Sequence, residues 1–226
     1  MREMAQLQNE IIHCTRCPRL VAWREAVAQN PPRRFIGEEY WARPIPGFGD
    51  PDAQLLIIGL APAAQGSNRT GRMFTGDKSG EWLFRALHKA GFANQPHSVS
   101  RGDGLQLQNA YITAAARCAP PGNKPLPTEL SNCREYLLRE WQLLRNKRVV
   151  LGLGKIGFDA AFDAARQFHY TQLTARPRFG HGVEVLLHEN LVLMGTYHPS
   201  QQNTFTGKLT EPMFDAIFSR IRQIIN

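Results

Sequence analysis

The sequence predicts an α/β fold built on a parallel sheet, and three stretches carry that prediction. Residues 54–60, 109–116 and 149–154 are short apolar runs of about the length of a strand. Each is followed by a loop of small residues, glycine or proline, and then by a stretch with helical spacing. Apolar runs without polar alternation are typical of strands that are buried on both faces, as in a parallel sheet.

The first of these stretches, QLLIIGLAPAAQGSNRTGRMFTGD (residues 54–77), is the one around which the fold is organised. Its apolar part ends at Gly59, a small-residue loop follows, and a helix is predicted from about Lys78 to Ala90. Open α/β sheets bind ligands at the carboxyl ends of their strands. Because small residues let a ligand approach the backbone closely, we expect backbone N–H groups of this loop to recognise it.

The other elements follow in chain order. Two short helices are expected at the N-terminus, an irregular loop at 35–53, and a proline-rich loop at 117–127. Thr128 is predicted to cap the next helix. A basic loop (174–182), a hairpin of two strands (183–188 and 191–196) and a closing helix (209–225) complete the chain. The absence of repeats and linkers predicts a single domain over residues 1–226.

A glycine pattern follows the third strand. Residues 152–157 read G-x-G-x-x-G, the spacing of a dinucleotide-binding loop. The chain offers no acidic residue after a second strand to bind a ribose, which argues against such a site. We therefore interpret the glycines as allowing close packing of strand and helix.

Size and charge narrow the class of protein. The chain has 226 residues and a formal net charge of +8, an excess that is expected of a nucleic-acid binder. Many of its arginines and lysines are in predicted loops rather than along one helix face. No apolar run is long enough to span a membrane, and the N-terminal residues lack the apolar core of a secretory signal. We expect a cytoplasmic protein.

The four cysteines suggest a shared site. They are Cys14, Cys17, Cys118 and Cys133. Disulfides are not expected in a cytosolic chain, and no strand precedes the C-x-x-C pair as it would in a thioredoxin-like redox motif. From spacing, zinc, an iron–sulfur cubane and four unrelated buried thiols all remain open.

Together, several motifs resemble the family 5 (B-type) uracil-DNA glycosylases. They are GLAPAAQGSNRTGRMFTGD (59–77), RCAPPGNKPLP (117–127), the His-Pro-Ser at 198–200 and the four cysteines. The resemblance implies a three-layer α/β/α sandwich with a central, mainly parallel four-stranded sheet. It also implies a [4Fe–4S] cluster on the four cysteines. The implied activity is excision of uracil, and commonly of other deaminated bases such as hypoxanthine, from DNA, and we expect a monomer.

The sequence also departs from relatives at named positions. The family usually has histidine at the position of Gln65. Compared with the wider superfamily, Leu60 and Ala61 replace the polar residue that elsewhere positions water, which is typical of family 5. Ala114 stands where the A-type enzymes carry an asparagine that reads uracil, so a roomier base pocket is expected.

Three residues are candidates for catalysis. His198 could donate a hydrogen bond to the uracil carbonyl as the departing base gains negative charge. Asp77 could orient water or stabilise the sugar cation, and Asn123 could hold the water by its amide. Each also has a structural reading: a strand-end histidine, a helix N-cap and a turn asparagine, respectively.

Candidate substrate contacts surround the first loop. Backbone groups at Gly59, Leu60, Ala61 and Ala63 are expected to bind the base as an oxyanion hole. The ring of Phe74 could stack on the extruded base, although it could equally be a core residue. Asn109, at the start of the second strand, is a weaker candidate for holding the water.

DNA contacts are expected from basic and amide side chains. The candidates for binding phosphates are Arg69, Arg72, Arg176, Arg178 and Lys208, each of which could also be ordinary surface charge. The candidates to fill the gap left by the base are Gln201, Gln202 and Asn203. The alternative function is a non-catalytic nucleic-acid-binding module with a structural four-cysteine zinc site.

Overall fold

The computed structural model describes residues 2–226, which form eight α-helices and six strands. The helices are α1 (Arg2–Ile12), α2 (Pro18–Gln29), α3 (Ser67–Thr70), α4 (Lys78–Lys89), α5 (Pro127–Leu143), α6 (Gly154–Gln167), α7 (Gln201–Phe205) and α8 (Glu211–Ile225). The strands are β1 (Phe48–Gly49), β2 (Leu55–Gly59), β3 (Ala110–Ala114), β4 (Val149–Leu153), β5 (Glu184–His188) and β6 (Leu191–Thr196).

The strands form one sheet in the order β1-β3-β2-β4-β6-β5. The four central strands are parallel, and β1 and β5 pair antiparallel at the two edges. The expectation of a mainly parallel sheet in an α/β fold is confirmed, but the four-stranded count is wrong. The sequence pattern had already indicated β5 as one arm of a hairpin. It missed β1 because a two-residue strand inside an irregular loop leaves no periodic signal.

Helices cover both faces of the sheet. On one face, α4 and α8 bury phenylalanines, including Phe84 and Phe214, against residues such as Ile57. On the other face, α5 and α6 bury Trp141 and Phe158 against residues such as Ile58. The consecutive residues Ile57 and Ile58 thus pack against helices on opposite faces of the sheet, because side chains alternate along a strand.

Most predicted elements agree with the structure to within a few residues, and the start of α5 is an exception. Its N-cap is Leu126, followed by Pro127 at the first helical position, so the predicted Thr128 cap is wrong. The side chain of Glu129 accepts a hydrogen bond from the backbone N–H of Leu126 at 2.7 Å. Proline is favoured at this position because its missing N–H would have had no partner inside the helix.

The glycine pattern after β4 has a packing role. A Cβ atom at Gly157 would lie 2.2 Å from the carbonyl oxygen of Ile58, and one at Gly152 would lie 2.4 Å from the backbone of Phe158. Only glycine permits this approach of α6 to the sheet. The interpretation as close strand–helix packing is therefore confirmed.

The topology brings the predicted functional loops to one edge. Because β2, β3 and β6 are parallel, the loops that follow them (60–77, 115–126 and 197–200) leave the sheet at the same edge.

No helix within residues 2–226 has the length and apolar character that crossing a bilayer requires.

Candidate active site

His198 lies just beyond the carboxyl end of β6. Its backbone carbonyl accepts a hydrogen bond from the side-chain amide of Asn203 at 2.9 Å. A Cβ at Gly154, the first residue of α6, would lie 3.3 Å from the Cβ of His198, so the start of α6 packs against it. Part of the residue reaches the surface, but burial of its imidazole lowers the pKa of His198 to about 4. The ring is therefore neutral at physiological pH.

Free backbone donors follow the carboxyl end of β2, which β4 separates from β6 in the sheet. Within residues 2–226, the N–H groups of Leu60, Ala61 and Ala63 donate to no protein acceptor. All three residues are partly exposed, and Pro62 between them has no N–H. A short segment with several unused donors is suited to binding a developing negative charge.

Phe74 links this segment to His198. Its ring lies against Gly59, where a Cβ would come within 2.8 Å of Cζ, and its centroid is 5.9 Å from that of His198. The residue is 7% exposed and belongs to the core below the sheet edge. Its φ of 54° lies in the left-handed region, which is unusual for a bulky side chain and occurs mostly where surrounding contacts enforce it.

Asp77 is the N-cap of α4, as its structural reading predicted. One carboxylate oxygen, Oδ1, accepts from the backbone N–H of Gly80 at 2.9 Å. The other, Oδ2, faces Gly66, where a Cβ would lie only 2.1 Å away. Burial raises the pKa of Asp77, and backbone hydrogen bonds from Gly80 and Ser79 oppose that rise. Among residues 2–226 the hydrogen bond from Gly80 goes to Oδ1, and Oδ2 could serve another task.

The two asparagine candidates lie at opposite edges of the sheet. Asn123 is exposed in the short helical turn Pro121–Asn123, on the same edge as His198. Asn109 precedes β3 at the amino edge, where its side chain accepts from the backbone N–H of Gln54 at 2.7 Å. The assignment of Asn109 to the base or water is therefore wrong, because a whole strand separates it from the loops above.

Two of the predicted phosphate contacts are used inside the protein. Arg72 is buried and pairs with Asp103 at 2.7 Å, and it also donates to the side chains of Ser98 and Thr75. Arg69 pairs with Glu38 and donates to the Gln65 and Gly76 carbonyls, which leaves its side chain 12% exposed. The geometry contradicts the assignment of Arg72 to phosphate, and it places Arg69 as a brace within the loop.

The other basic candidates are on the surface. Arg178 is exposed and forms no ion pair within residues 2–226. Arg176 is exposed but pairs with Asp163 on α6 at 2.6 Å. The ammonium of Lys208 lies 4.8 Å from the ring centroid of Tyr197, the residue before His198. Arg178 and Lys208 therefore remain the better-placed phosphate candidates of this set.

Helix α7 carries the predicted gap-filling residues. Gln201 and Gln202 are exposed on it, whereas Asn203 uses its amide to hold the carbonyl of His198. Phe205, at the end of the same helix, is 78% exposed, the largest value among the exposed large apolar residues in the part of the chain that is described. Phe205 could not be singled out from the sequence, because an isolated phenylalanine in a polar stretch gives no pattern.

The four cysteines lie in one region, and two of their sulfurs, those of Cys118 and Cys17, accept hydrogen bonds from side chains. Arg24 donates to the sulfur of Cys118 at 3.2 Å, and Asn132 donates to that of Cys17 at 3.4 Å. Burial raises the pKa of Cys118 to about 12, opposed by Arg24, and Cys133 and Cys14 raise it further.

Buried cations show that this region suits an anionic group. Arg24 is 5% exposed, its Nε has no partner, and within residues 2–226 it forms no ion pair. Arg117 is also buried; one of its guanidinium nitrogens pairs with the carboxylate of Glu140, and the other two have no partner. Arg24 is therefore a buried charge without a carboxylate partner among residues 2–226, which is costly, and thiolates carrying a cluster would compensate it. Cys14, Cys17, Cys118 and Cys133 therefore fit a cluster bearing negative charge.

Within residues 2–226, no group of three or more His, Cys, Asp or Glu side chains is arranged to hold a single metal ion. A cubane places its own iron and sulfide between the thiolates, so its cysteines stand further apart than the ligands of one zinc.

The fold, with its functional loops at one edge of the sheet, corresponds to a known class of protein. The sequence profile of the uracil DNA glycosylase superfamily matches residues 46–222, and the chain belongs to that superfamily.

Three relatives are each named Type-5 uracil-DNA glycosylase. That of Mycobacterium tuberculosis is 49% identical over 222 residues, covering 98% of this chain and 81% of the relative. That of Thermus thermophilus is 47% identical and covers 93% of both chains. That of Pyrobaculum aerophilum is 43% identical, covering 89% of this chain and 84% of the relative. The resemblance inferred from the motifs is thus confirmed, and the comparisons lend no support to a non-catalytic zinc module.

Some residues at this site could not be found from the sequence. Tyr40 donates a hydrogen bond to the side chain of Gln65, and Arg24 lies over the thiols although its helix shows no signal for a buried cation. Both contacts join segments that are far apart along the chain. Only tertiary structure reveals them.

Proposed function

We propose that this chain is a monofunctional DNA glycosylase that hydrolyses the N-glycosidic bond of uracil in DNA and leaves an abasic site for repair. The observation that carries the proposal is the pairing of unused backbone donors at Leu60, Ala61 and Ala63 with the neutral imidazole of His198. Both are at one sheet edge, bridged by the ring of Phe74. This arrangement is suited to a base that leaves as an anion.

The reaction divides into steps that these residues can serve. Extrusion of the base costs a few kcal/mol, less when uracil is mispaired with guanine. The extruded base would stack on Phe74 while the backbone donors and His198 stabilise the charge that develops on its carbonyl oxygens. As the bond breaks, the sugar becomes cationic, and the free oxygen Oδ2 of Asp77 would stabilise it electrostatically.

Water then completes the hydrolysis. Its oxygen bonds to the anomeric carbon of the sugar, and a proton is released. Asn123, exposed on the loop after β3, is the proposed holder of that water, and its position at the correct edge supports this role. Stacking on Phe74 tolerates different bases, which supports excision of hypoxanthine as well as uracil.

Helix α7 supplies the proposed wedge. Phe205 projects from the helix that follows His198, and apolar side chains of this kind enter unstacked base steps. We assign the gap left by the extruded base to Phe205, with Gln201 and Gln202 beside it. Asn203 instead positions His198.

We further propose that the four cysteines bind a [4Fe–4S] cluster with a structural role. Bound there, the cluster would tie α1 and α2, through Cys14 and Cys17, to the segment 118–133, which carries Asn123. Reduced thiols and a DNA substrate support a cytoplasmic location, and we propose that the protein acts as a monomer.

The activity is tested with a duplex oligonucleotide that holds one U·G pair. Purified protein should generate an abasic site, detected by strand cleavage after alkali treatment, without added metal or nucleotide. Failure to release the base at moderate salt would contradict the proposal. Duplexes with hypoxanthine or xanthine at the same position measure the range of bases.

A further inference from the structure

A basic surface lies outside the first loop, and none of its arginines is among the phosphate contacts predicted from the sequence. Five residues define it, and we call it the arginine–aromatic strip: Arg34, Phe35, Trp41, Arg43 and Arg101. The guanidinium of Arg34 lies 4.6 Å from the ring centroid of Phe35. Those of Arg43 and Arg101 lie 5.7 and 4.5 Å from the ring of Trp41. The two rings thus support these three cations, and the ring of Phe35 also carries Arg69, whose guanidinium lies 4.0 Å from its centroid.

These three arginines are uncommitted. Arg34, Arg43 and Arg101 are exposed, and within residues 2–226 their guanidinium groups form no ion pair and no hydrogen bond to protein. Arg69 and Arg72, by contrast, are held by carboxylates inside the fold. The free donors therefore lie on the strip.

The strip is fastened to the loop that carries Phe74 and Asp77. The backbone N–H of Trp41 donates to the carbonyl of Arg69 at 2.9 Å. The ring of Trp41 lies on Gly71, where a Cβ would come within 2.9 Å. Arg101 reaches the strip from a second segment, in which the carbonyl of Ser98 accepts from the N–H of Gly76 at 3.0 Å. The strip is therefore fixed in place beside the site.

The supporting rings give the arginines a defined orientation. A guanidinium stacked on an aromatic face keeps its planar edge of N–H donors free, and it loses less side-chain entropy when it binds. Phosphates accept hydrogen bonds from such edges, and each neutralised phosphate releases counterions. Three exposed cations that are fixed on aromatic rings are suited to binding phosphates of one strand.

We propose that the arginine–aromatic strip binds the phosphodiester backbone of the lesion-bearing strand, beside the extruded nucleotide. The inference rests on the proposed glycosylase function for the identity of that strand. The strip would hold this strand while the base enters the site.

The salt dependence of DNA binding tests the proposal. The variant Arg34→Gln/Arg43→Gln/Arg101→Gln is compared with Arg2→Gln/Arg145→Gln/Arg166→Gln, which removes the same charge. Arg145 precedes β4 and Arg166 ends α6, so both lie at the opposite edge, and all three control residues are exposed. Fluorescence anisotropy with an undamaged duplex gives the dissociation constant over a series of salt concentrations.

The strip variant should bind more weakly, and its slope of log affinity against log salt should be smaller by about two to three units, because each lost phosphate contact removes about 0.9. The control variant should keep nearly the wild-type slope. Equal slopes in the two variants would overturn the proposal. Because the measurement needs no base excision, it still reports on the strip if wild-type protein fails to release uracil.

A second measurement concerns which strand is bound. Duplexes are shortened on either side of the uracil in the lesion strand or in its complement, and binding is compared between wild type and the strip variant. Wild-type protein should lose affinity when the lesion strand is shortened on one side, and the strip variant should lose much less. Sensitivity to the complementary strand alone would contradict the proposal.

Discussion

The ring of Phe74 lies 5.9 Å from that of His198, and the two planes are inclined by 31°. This contact joins the loop after β2 to the end of β6, two segments more than a hundred residues apart. In the proposed mechanism it forms one wall of the space in which the extruded base lies. The predictions below concern the residues that form and hold this wall.

His198→Ala should lower the single-turnover rate of uracil excision by about 100- to 1,000-fold, the effect expected of removing one oxyanion donor. DNA affinity should be nearly unchanged, because the imidazole would act on charge that develops only during the reaction. His88→Ala, an exposed histidine near the end of α4, is the control. Unchanged excision by His198→Ala would show that the oxyanion assignment is wrong.

The imidazole of His198 should remain neutral throughout the working pH range. Its pKa is lowered to about 4 by burial, so it gains a proton only below that value, whereas an unfolded histidine does so near 6.5. The folded state is therefore penalised as pH falls from about 6.5 toward 4. Nuclear magnetic resonance of the ring should show no titration between about pH 8 and pH 5. A midpoint near 6.5 would rule out a neutral, buried donor.

Asp103→Asn should destabilise the fold by about 2 kcal/mol at neutral pH. Burial opposes ionisation of Asp103, but hydrogen bonds from Arg72 and from backbone N–H groups lower its pKa to about 2. The contribution is fully present above the unfolded pKa of about 4 and is lost as pH falls toward 2. Urea unfolding at several pH values measures this. Asp52→Asn, which alters an exposed carboxylate outside any ion pair in residues 2–226, is the control.

Asp103→Asn should also slow excision. Asp103 holds Arg72, and Arg72 with Thr75 holds the strained backbone of Phe74. The effect should appear in the rate at saturating protein rather than in the protein concentration that gives half the maximal rate. A change confined to that concentration would argue against a bracing role.

Phe205→Ala should impair excision about tenfold from U·A pairs, less from U·G pairs and least from single-stranded DNA, because the wedge offsets the cost of extrusion. Leu186→Ala removes another strongly exposed apolar side chain, from the edge strand β5, and serves as the control. The measurement is the single-turnover rate on the three substrates. An equal loss on all three would show that Phe205 does not act as a wedge.

Cys118→Ser should abolish the broad visible absorption of a cubane, which zinc does not give. It should also increase hydrogen exchange in the segment 117–126, since that segment would lose its cross-link to α2. The activity should fall through disorder of Asn123 rather than through redox chemistry. If the wild-type protein is colourless although its loops are ordered, the cluster assignment is contradicted.

Much of the fold could be predicted because its signals are local. The runs that became β2, β3 and β4 are apolar throughout, since both of their faces are buried. The hairpin of β5 and β6 was visible because the two residues Glu189-Asn190 separate two short runs of strand-like sequence. The strand β1 was not, because two residues cannot show a period. The cap of α5 was misplaced by two residues, where proline fixes the start of the helix.

By itself, the sequence determined the class of protein, the loops that carry the chemistry and the residue types in them. Only the tertiary structure decided how each side chain is used. It committed Arg72 to Asp103, placed Asn109 at the far edge, gave Asn203 to the carbonyl of His198 and left Phe205 exposed. The physical reason is that a motif fixes local conformation, whereas burial, pairing and pKa depend on partners that are distant along the chain.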